Sequence, residues 1–598
     1  MSLVCGIYLL RDNAQIPPEW ERHLRENINR GSKGSISEFR DSRLFLLKLD
    51  LGAFDAPGWH VDERHVTAIS GDAILVHDVN VRGRADDLDA LAGVDVAELR
   101  PLLLRARGYY NLVRYDRASH RLAIAIDRVG VRSTYVYRDA NVLVFSGALR
   151  LIETLPGIRL TTDLQGVLES AAFGVPLDAR TQYREVSYML GGSQLLAAGG
   201  ELSTDRYWKF DRDACNEEPT QDLDGALDEL YREFQRAVRL RTGQRKAVFS
   251  ALSGGLDSRS VTTELWRLGL EVHSLNISWA GSQDAVLGNA YAAKLGLKHH
   301  YVERPLEEAG NSLAQRLQRL MEENASACAD LPSTPLQLWS GNGGSLGLGH
   351  SKMDPEVTNR MASGDVEGAA RLFLATFKFG LSPTLLRNDI ARWAADLPFR
   401  SLMKELEQIR CRERARSLYI FRMENDQRRL LSFHFEQIDL VPFEFIEPLF
   451  DPEVLRVVCK LPMMFCLRHH MYHRWLERFP KEILSVAWQV YPGHEPCPVP
   501  LPPGVFDQWK PPRRVRRGSA FVPSLRQAMQ YWRERTLFRN TLRTERVIAA
   551  YLMKALELRD TSHLLRQVDL LGKPLRISQG RIELPQTAPD ASVARAAV

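Results

Sequence analysis

The chain has 598 residues, 44% of them hydrophobic and 26% charged, which excludes a disordered, collagenous or fibrous protein. Its 79 Lys and Arg against 74 Asp and Glu leave a net charge of +5, too small over this length to point to nucleic acid or an anionic membrane as the main partner. Seven scattered cysteines without C-x-x-C spacing exclude a disulfide scaffold and a cysteine-only zinc site, and point to reduced thiols in a cytoplasmic protein.

No stretch reaches the ~18 apolar residues of a membrane span. The apolar start, Leu3 to Leu10, lacks a basic n-region and a small-residue cleavage site and is cut short by Arg11-Asp12, so it predicts a buried first strand. Short β-branched and apolar runs follow at 44–49, 73–81, 110–115, 122–127, 133–137 and 141–146, predicting an antiparallel, mostly β unit over residues 1–210. The polar, proline-containing stretch 211–222 predicts a linker. After it, Leu223, Leu227, Leu230, Phe234 and Val238 recur at helical spacing. Strands at 247–252, 271–278 and 299–302 then alternate with helices at 259–268, 285–295 and about 306–325. That alternation predicts a parallel sheet with right-handed crossovers and a ligand at its C-terminal strand ends, in a second unit over 223–586. Residues 390–485 read as mainly helical, 492–504 as a proline-rich loop, 510–517 as a basic run and 587–598 as a frayed tail.

The most specific signal is Ser253-Gly254-Gly255-Leu256-Asp257-Ser258, between a predicted strand and a predicted helix. Two glycines let backbone approach an anion, the serines and free N–H groups at a helix start donate to phosphate oxygens, and Asp257 can hold Mg²⁺. The G-x-x-x-x-G-K-[ST] loop is absent. This six-residue string resembles the pyrophosphate loop of the asparagine synthetase family, whose members use ATP to convert a carboxylate to an acyl-adenylate. Asp127-Arg128-Val129-Gly130, Tyr135-Val136-Tyr137 and Phe145-Ser146-Gly147 are similar to the end of that family's glutaminase domain, and Arg206-Tyr207-Trp208 to its interdomain junction. Ser340-Gly341-Asn342-Gly343 resembles its second active-site loop, and Glu447-Pro448-Leu449-Phe450-Asp451 its late acidic region. The resemblance implies an N-terminal Ntn-hydrolase-like α+β domain followed by an α/β adenine-nucleotide α-hydrolase-like (PP-loop) synthetase domain with helical additions. It implies ATP and Mg²⁺, with Asp257 as metal ligand and Ser253 to Ser258 on the pyrophosphate. Leu252, Leu275, Ile277, Ser340 and Gly341 would lie by the nucleotide, and Glu436 would orient or deprotonate an attacking amine.

The departures bear on the reaction. A glutaminase of this kind needs cysteine as the processed N-terminal residue, its α-amine serving as the base for its own thiol. Cys5-Gly6-Ile7 resembles that start but lies behind Met1-Ser2-Leu3-Val4, and the family's Asn-Gly-Glu segment is missing near Ser70-Gly71-Asp72. The N-terminal domain therefore reads as a degenerate glutaminase. Ser345 stands where the family has a second acidic metal ligand, with Asp284 and Asp354 as substitutes the spacing does not separate. The segment expected to carry a late lysine reads Ala487-Trp488-Gln489-Val490-Tyr491-Pro492-Gly493. Arg259 and Lys352 flank the two loops as candidate phosphate contacts.

An adenylating loop without glutamine use points to an amine already in the substrate. By resemblance, residues 343–350 and 488–494 favour a lasso peptide cyclase, closing a macrolactam between an Asp or Glu side chain of a precursor peptide and its own α-amine, with release of AMP and pyrophosphate. A cavity for the peptide and a leader peptidase partner follow from that reading. Alternatives are an asparagine or β-lactam synthetase-like enzyme, and a degenerate peptide-binding protein. Gly343-x-Ser345-x-Gly347 also matches a serine hydrolase elbow, disfavoured by the glycines after the serine. His469, His470 and His473 read as a solvated helix face rather than a zinc site.

Overall fold

The computed structural model describes residues 2–77, 82–304, 311–325, 336–376, 384–441, 443–507, 521–556 and 558–583, the side chains of 311–314 and 426–430 excepted. The first strand, Ser2–Leu9, is buried along its whole length because the period of two serves two cores at once. Leu3, Cys5, Ile7 and Leu9 face Trp20 and Leu24 of helix Pro18–Asn27. Val4 and Tyr8 face a second sheet through Val66, Val113 and Ile124. Gly6 is required between them, since a Cβ there would lie 2.5 Å from the Phe145 ring.

The first sheet is antiparallel, in the order Val186–Tyr188, Tyr135–Arg138, Val142–Ser146, Ser2–Leu9, Leu44–Asp50, Ser35–Arg40. The second, also antiparallel, runs Glu201–Arg206, Ser193–Ala198, Leu122–Ile126, Tyr109–Asp116, His65–Asp72, Trp59–Val61. Its far face, with Ile69, Tyr110 and Leu112, shares one core with Leu346, Phe421 and Phe450 of the C-terminal half. The N-terminal half is thus two face-packed sheets between helical layers, as expected of an α+β domain.

The expected strand at 73–81 is a correction. The strand is His65–Asp72, and Ile74 follows it at φ 51°. The Asp87 carboxylate accepts the N–H groups of Ile74, Leu75 and Val76, so this apolar run satisfies its backbone without a strand partner. Residues 78–81 lie outside the described residues.

The C-terminal half holds a five-stranded parallel sheet in the order Lys298–Glu303, Glu271–Ser278, Ala247–Ala251, Gln337–Trp339, Glu444–Ile446. The last two strands escaped the sequence pattern because each has three residues. The chain leaves Ala247–Ala251 to one side and returns on the other at Gln337–Trp339, which makes the cleft between their C-terminal ends a topological switch point. Helix Leu223–Thr242 buries Leu227, Leu230, Phe234 and Val238, the predicted stripe, beneath this sheet's core. Helices Phe521–Phe538, Thr544–Ala555 and Ser562–Ile577 turn back onto helix Leu164–Phe173, and Ile582–Glu583 pairs in parallel with Thr162–Asp163. Among the described residues no helix is long and apolar enough to cross a membrane. The basic run 510–517 and the tail 587–598 lie outside them.

Candidate functional site

The loop 253–258 sits at the switch point. Gly255 caps helix Leu256–Arg267, which begins three residues before the predicted start and so brings Leu256, Asp257 and Ser258 into its first turn. The first N–H groups of a helix have no intrahelical acceptor and carry the positive end of its dipole. Ser258 Oγ accepts from the Ser253 amide at 3.0 Å, and Ser253 Oγ from the Gly255 amide at 3.2 Å, so the two hydroxyls hold the turn closed. The Gly254 amide donates to Asp284 Oδ1 at 3.2 Å. That N–H is thus engaged by a carboxyl group of the chain itself.

Asp257 is the charge at the centre. Burial pushes its carboxyl up to about 7, partly offset by the Tyr472 hydroxyl, which donates to Oδ1 at 2.7 Å, and by the Ser345 backbone N–H. No ion pair to Asp257 occurs among the described residues. The second loop lies directly on the first: a Cβ on Gly341 would meet the Ser258 amide nitrogen at 2.4 Å, and one on Gly344 the Asp257 carboxylate at 2.5 Å. Gly343, at φ 87°, makes the turn. Asn342 Nδ2 donates to Glu447 Oε1 at 3.1 Å, while Glu447 Oε2 is buried without a partner among the described residues. Burial lifts that carboxyl to about 7 as well.

A third segment closes over the loop. The Gln489 amide donates to Gly254 O at 2.9 Å, and Tyr491 stands where Asp257 and Asp284 both add to burial in raising its phenol. Asp284, itself raised by burial, is thus near the same ring as Asp257. Asp354, the other candidate ligand, caps helix Pro355–Ser363 by accepting from the Glu356 amide. Mg²⁺ fits this donor set: a dry, unpaired carboxylate in Asp257 with Asp284 across the loop supplies the one or two carboxylates such an ion uses beside phosphate oxygens.

The remaining sequence candidates fall as follows. Leu252 follows strand Ala247–Ala251 and donates its amide to Leu275 O at 2.9 Å, and Ile277 lies two residues further along the neighbouring strand. Ser340 donates its amide to Ile446 O at 2.9 Å. Glu436 is not brought to the loops. It accepts from Tyr135 at 2.7 Å and from the Leu149 amide, with burial as the main cause of a carboxyl raised to about 7. Arg259 is consumed structurally, donating to the carbonyls of Ile483, Val486 and Ala487 beneath the Tyr291 ring. His469 is buried rather than solvated, and desolvation lowers it to about 3, whereas His470 and His473 pair with Glu495. No metal-holding cluster of three or more His, Cys, Asp or Glu occurs among the described residues. Ser345 lies in the short turn Gly344–Gly347 with its amide on Asp257. A cavity of about 720 Å³ lies between the halves, lined in part by Phe54, Arg82, Arg245, Gln337 and Trp339, at the start of strand Ala247–Ala251 rather than at the loop.

In the N-terminal half, Cys5 is central in a strand paired on both sides, opposite Leu47 and Ser146, and burial pushes its thiol up to about 12. Ser2 and Val4 extend that strand against Asp50 and Lys48. In the same half, Arg82 pairs with Asp72 and Asp87, and Arg84 and Lys48 pair with Asp50.

Residues 98–208 match the glutamine amidotransferase domain, and residues 229–340 match asparagine synthase. The two matches in this order make the chain asparagine synthetase-like in its domain organisation. Asparagine synthetase (glutamine-hydrolyzing) 3 of Bacillus subtilis is 24% identical over 156 residues, 26% of this chain. That match spans 25% of the relative's length. Two solved structures are similar more faintly. One is described as the allosteric regulatory enzyme of purine biosynthesis, with TM-score 0.24 and 10% identity over 56% of this chain and 74% of that one. The other is glutamine phosphoribosylpyrophosphate amidotransferase from B. subtilis with ADP and GMP, with TM-score 0.22 and 8% identity over 57% and 81%. Both likenesses are too slight to bear on this chain.

Proposed function

We propose that this is an ATP-dependent, AMP-forming amide ligase whose amine is carried by its own substrate, and specifically a lasso peptide cyclase. The observation that carries the reading is the contrast between Cys5, an internal strand residue with an amide nitrogen and a protonated thiol, and Asp257, a buried carboxyl group without an ion pair among the described residues, in the first turn of helix Leu256–Arg267 at the switch point. Bound ATP with Mg²⁺ would supply activation of a peptide carboxylate as its adenylate. The chain's own share is to bind and orient. The loop amides and hydroxyls of Ser253 to Ser258 take the pyrophosphate, Asp257 and Asp284 hold the metal ion, and Tyr472 and the Ser345 amide fix the Asp257 carboxylate. The Tyr491 phenol, kept neutral by burial and two carboxylates, is a donor in the segment where the resembled family carries a lysine. Holding amine and adenylate together contributes roughly 7–11 kcal/mol to barrier lowering. The partners under this reading are a precursor peptide and a leader peptidase, in the cytoplasm.

The test is pyrophosphate release from ATP and Mg²⁺ with candidate core peptides, and with aspartate plus ammonia or glutamine in parallel. Peptide-dependent release, lost in Asp257→Asn and accompanied by a product lighter by one water, is expected. Release driven by ammonia instead would favour an asparagine synthetase-like enzyme. Peptide binding without any release would favour a degenerate binding protein, the reading that Ser345 and the missing lysine support.

A further inference from the structure

Two of the last helices carry a surface that the ligase reading leaves unused. Helices Phe521–Phe538 and Thr544–Ala555 are joined by the short turn 539–543, and the Tyr531 and Tyr551 rings meet with centroids 6.4 Å apart. Both rings stand equally far from the turn, so the pair is an antiparallel hairpin with Met529 level with Met553 and Val522 toward the end that carries Leu556 and Leu558. Ala528, Tyr531 and Tyr551 are buried in one core with Leu168 and Leu571. The residue after each, Met529, Trp532 and Leu552, is exposed, because one step turns a helix by about 100°. Of the fifteen most exposed large apolar side chains among the described residues, eight lie between Phe521 and Leu558. Clustering of this kind marks an interaction surface rather than scattered apolar residues.

Cations are interleaved with these side chains. Residues 521–560 carry eight Lys and Arg against four Asp and Glu, and the sequence just before them, 510–517, adds five more cations and no acid. The rest of the chain is therefore net acidic, and the overall charge of +5 conceals a local excess. Arg526, Arg533, Arg539, Arg546 and Arg559 are exposed and form no ion pair among the described residues, whereas Glu534 is taken up by Arg576 at 2.8 Å. Arg535 lies over the Trp532 ring, 4.2 Å from its centroid, so cation and indole present themselves together.

The occupant has to satisfy both sets of groups. A second copy of the chain would set the same arginines against one another across a two-fold contact. An RNA would use the cations and a ring or two, but not a set that is mostly aliphatic. A helix from an acidic protein would need a groove, and among the described residues none of the larger cavities is lined by this hairpin. An anionic lipid surface needs none: its headgroups take the arginines, and the boundary beneath them takes the apolar side chains. We propose that the hairpin 521–558 is a peripheral docking surface for an anionic lipid bilayer, through which the chain binds reversibly to a membrane face. Whole-chain charge hides this surface, because the fold gathers the excess cations on one element together with half of the exposed apolar side chains.

The experiment floats the full chain with vesicles of phosphatidylcholine alone and of phosphatidylcholine mixed with phosphatidylglycerol, at about 0.05 M and about 0.5 M salt. At the lower salt, partition onto the phosphatidylglycerol vesicles should exceed that onto phosphatidylcholine about tenfold, and the excess should vanish at the higher salt. Trp532→Ser with Leu556→Ser should lower that partition about tenfold. Arg526→Glu with Arg533→Glu and Arg559→Glu should abolish the preference for phosphatidylglycerol. Phe433→Ser, which removes a comparably exposed apolar side chain elsewhere, should change nothing. All these side chains are exposed, and urea midpoints matching wild type check that the variants are folded. Equal partition onto the two kinds of vesicle would overturn the proposal. So would partition that neither hairpin variant alters, which would place the contact elsewhere, the run 510–517 included. A wild-type dimer that Trp532→Ser with Leu556→Ser fails to form, without vesicle binding, would overturn it in favour of a second copy. Flotation needs no ATP or peptide, so its outcome is independent of the proposed ligase activity.

Discussion

Two sets of buried carboxylates, one in each half, are held in opposite ways. In the N-terminal half, burial would raise Asp50 and Asp72, but Lys48 and Arg84 around the first and Arg82 against the second outweigh it and hold both carboxyls down. Asp87, which shares Arg82 with Asp72, goes up, to about 6, and so does Asp127, which accepts from the backbone N–H groups of Val129, Val131 and Arg132. In the C-terminal half, Asp257 and Glu447 are buried against a hydroxyl, an amide and backbone N–H groups without an ion pair among the described residues, and both are lifted to about 7. A network that neutralises its own charge has nothing left for a ligand, whereas a carboxylate left uncompensated in a dry cleft is poised for a cation. The Lys48–Arg82–Arg84 network is closed in this sense, whereas Asp257 at the switch point is open to a cation.

The largest test of this contrast is Asp257→Asn, which keeps the shape and removes the charge. Loss of a group that stabilises charge in the reaction costs about 10²–10³ in rate, so pyrophosphate release should fall by at least that factor with the fold intact. Release near the wild-type rate would mean the unpaired carboxylate has no role. The converse substitution, Arg82→Met, strands Asp72 and Asp87, and removing one member of a buried ion pair costs about 3–5 kcal/mol. Urea unfolding should show a loss of that size; a shift under ~1 kcal/mol would deny the network its structural role.

pH separates the halves next. Asp257 and Glu447 keep their protons to about pH 7 when folded, against 3.8 and 4.5 for the ordinary groups. These two groups thus bind more protons in the folded chain across that window, and their contribution to stability falls as pH rises through it. Asp50 and Asp72 act with the opposite sign: held below 3.8 in the folded chain, they contribute stability above about pH 4 that is lost as pH drops further. The difference in urea midpoint between Asp257→Asn and wild type, measured without Mg²⁺, should therefore shift in the variant's favour from about pH 4 to 7 while the acid limb is unchanged. A constant difference would show that Asp257 is not protonated where its burial requires.

How much of this the sequence could carry depends on whether the relevant contacts are local. The pyrophosphate loop was legible because its six residues are contiguous and the strand and helix around it have their own periodicities. The alternation of Leu3, Cys5, Ile7 and Leu9 likewise identifies a strand buried on both faces. Tyr472 was not legible as a partner of Asp257, since 215 residues separate them and it sits in a histidine-rich stretch. The Asn342–Glu447 contact spans 105 residues, and the two three-residue strands that create it have no pattern to read. Arg259 misled for the opposite reason: its position beside the loop suggested phosphate, but its side chain turns inward to three carbonyls. Tyr491→Phe tests a residue whose place emerged only in three dimensions. Loss of one neutral donor is worth about 0.5–1.5 kcal/mol, so kcat for pyrophosphate release should fall roughly three- to tenfold, with an unchanged rate denying the phenol any part in catalysis.

The smallest expected effect lies at Cys5, and it bears most directly on where the amine originates. A glutaminase nucleophile cannot be replaced without loss of glutamine-dependent turnover, because both the thiol and its α-amine take part in the chemistry. Cys5 has neither in usable form: its nitrogen is an amide between two paired strands, and its thiol is held protonated by burial. Cys5→Ala should leave peptide-dependent pyrophosphate release within twofold of wild type and cost about 1 kcal/mol for the small cavity beside Ile7 and Trp20. Cys5→Ser should cost more, since it places a hydroxyl in an apolar cluster. If Cys5→Ala instead abolished an amide-forming activity that glutamine supports, the strand start would have to open in solution, and the N-terminal half would have to be reassigned from a closed structural domain to an ammonia-producing one.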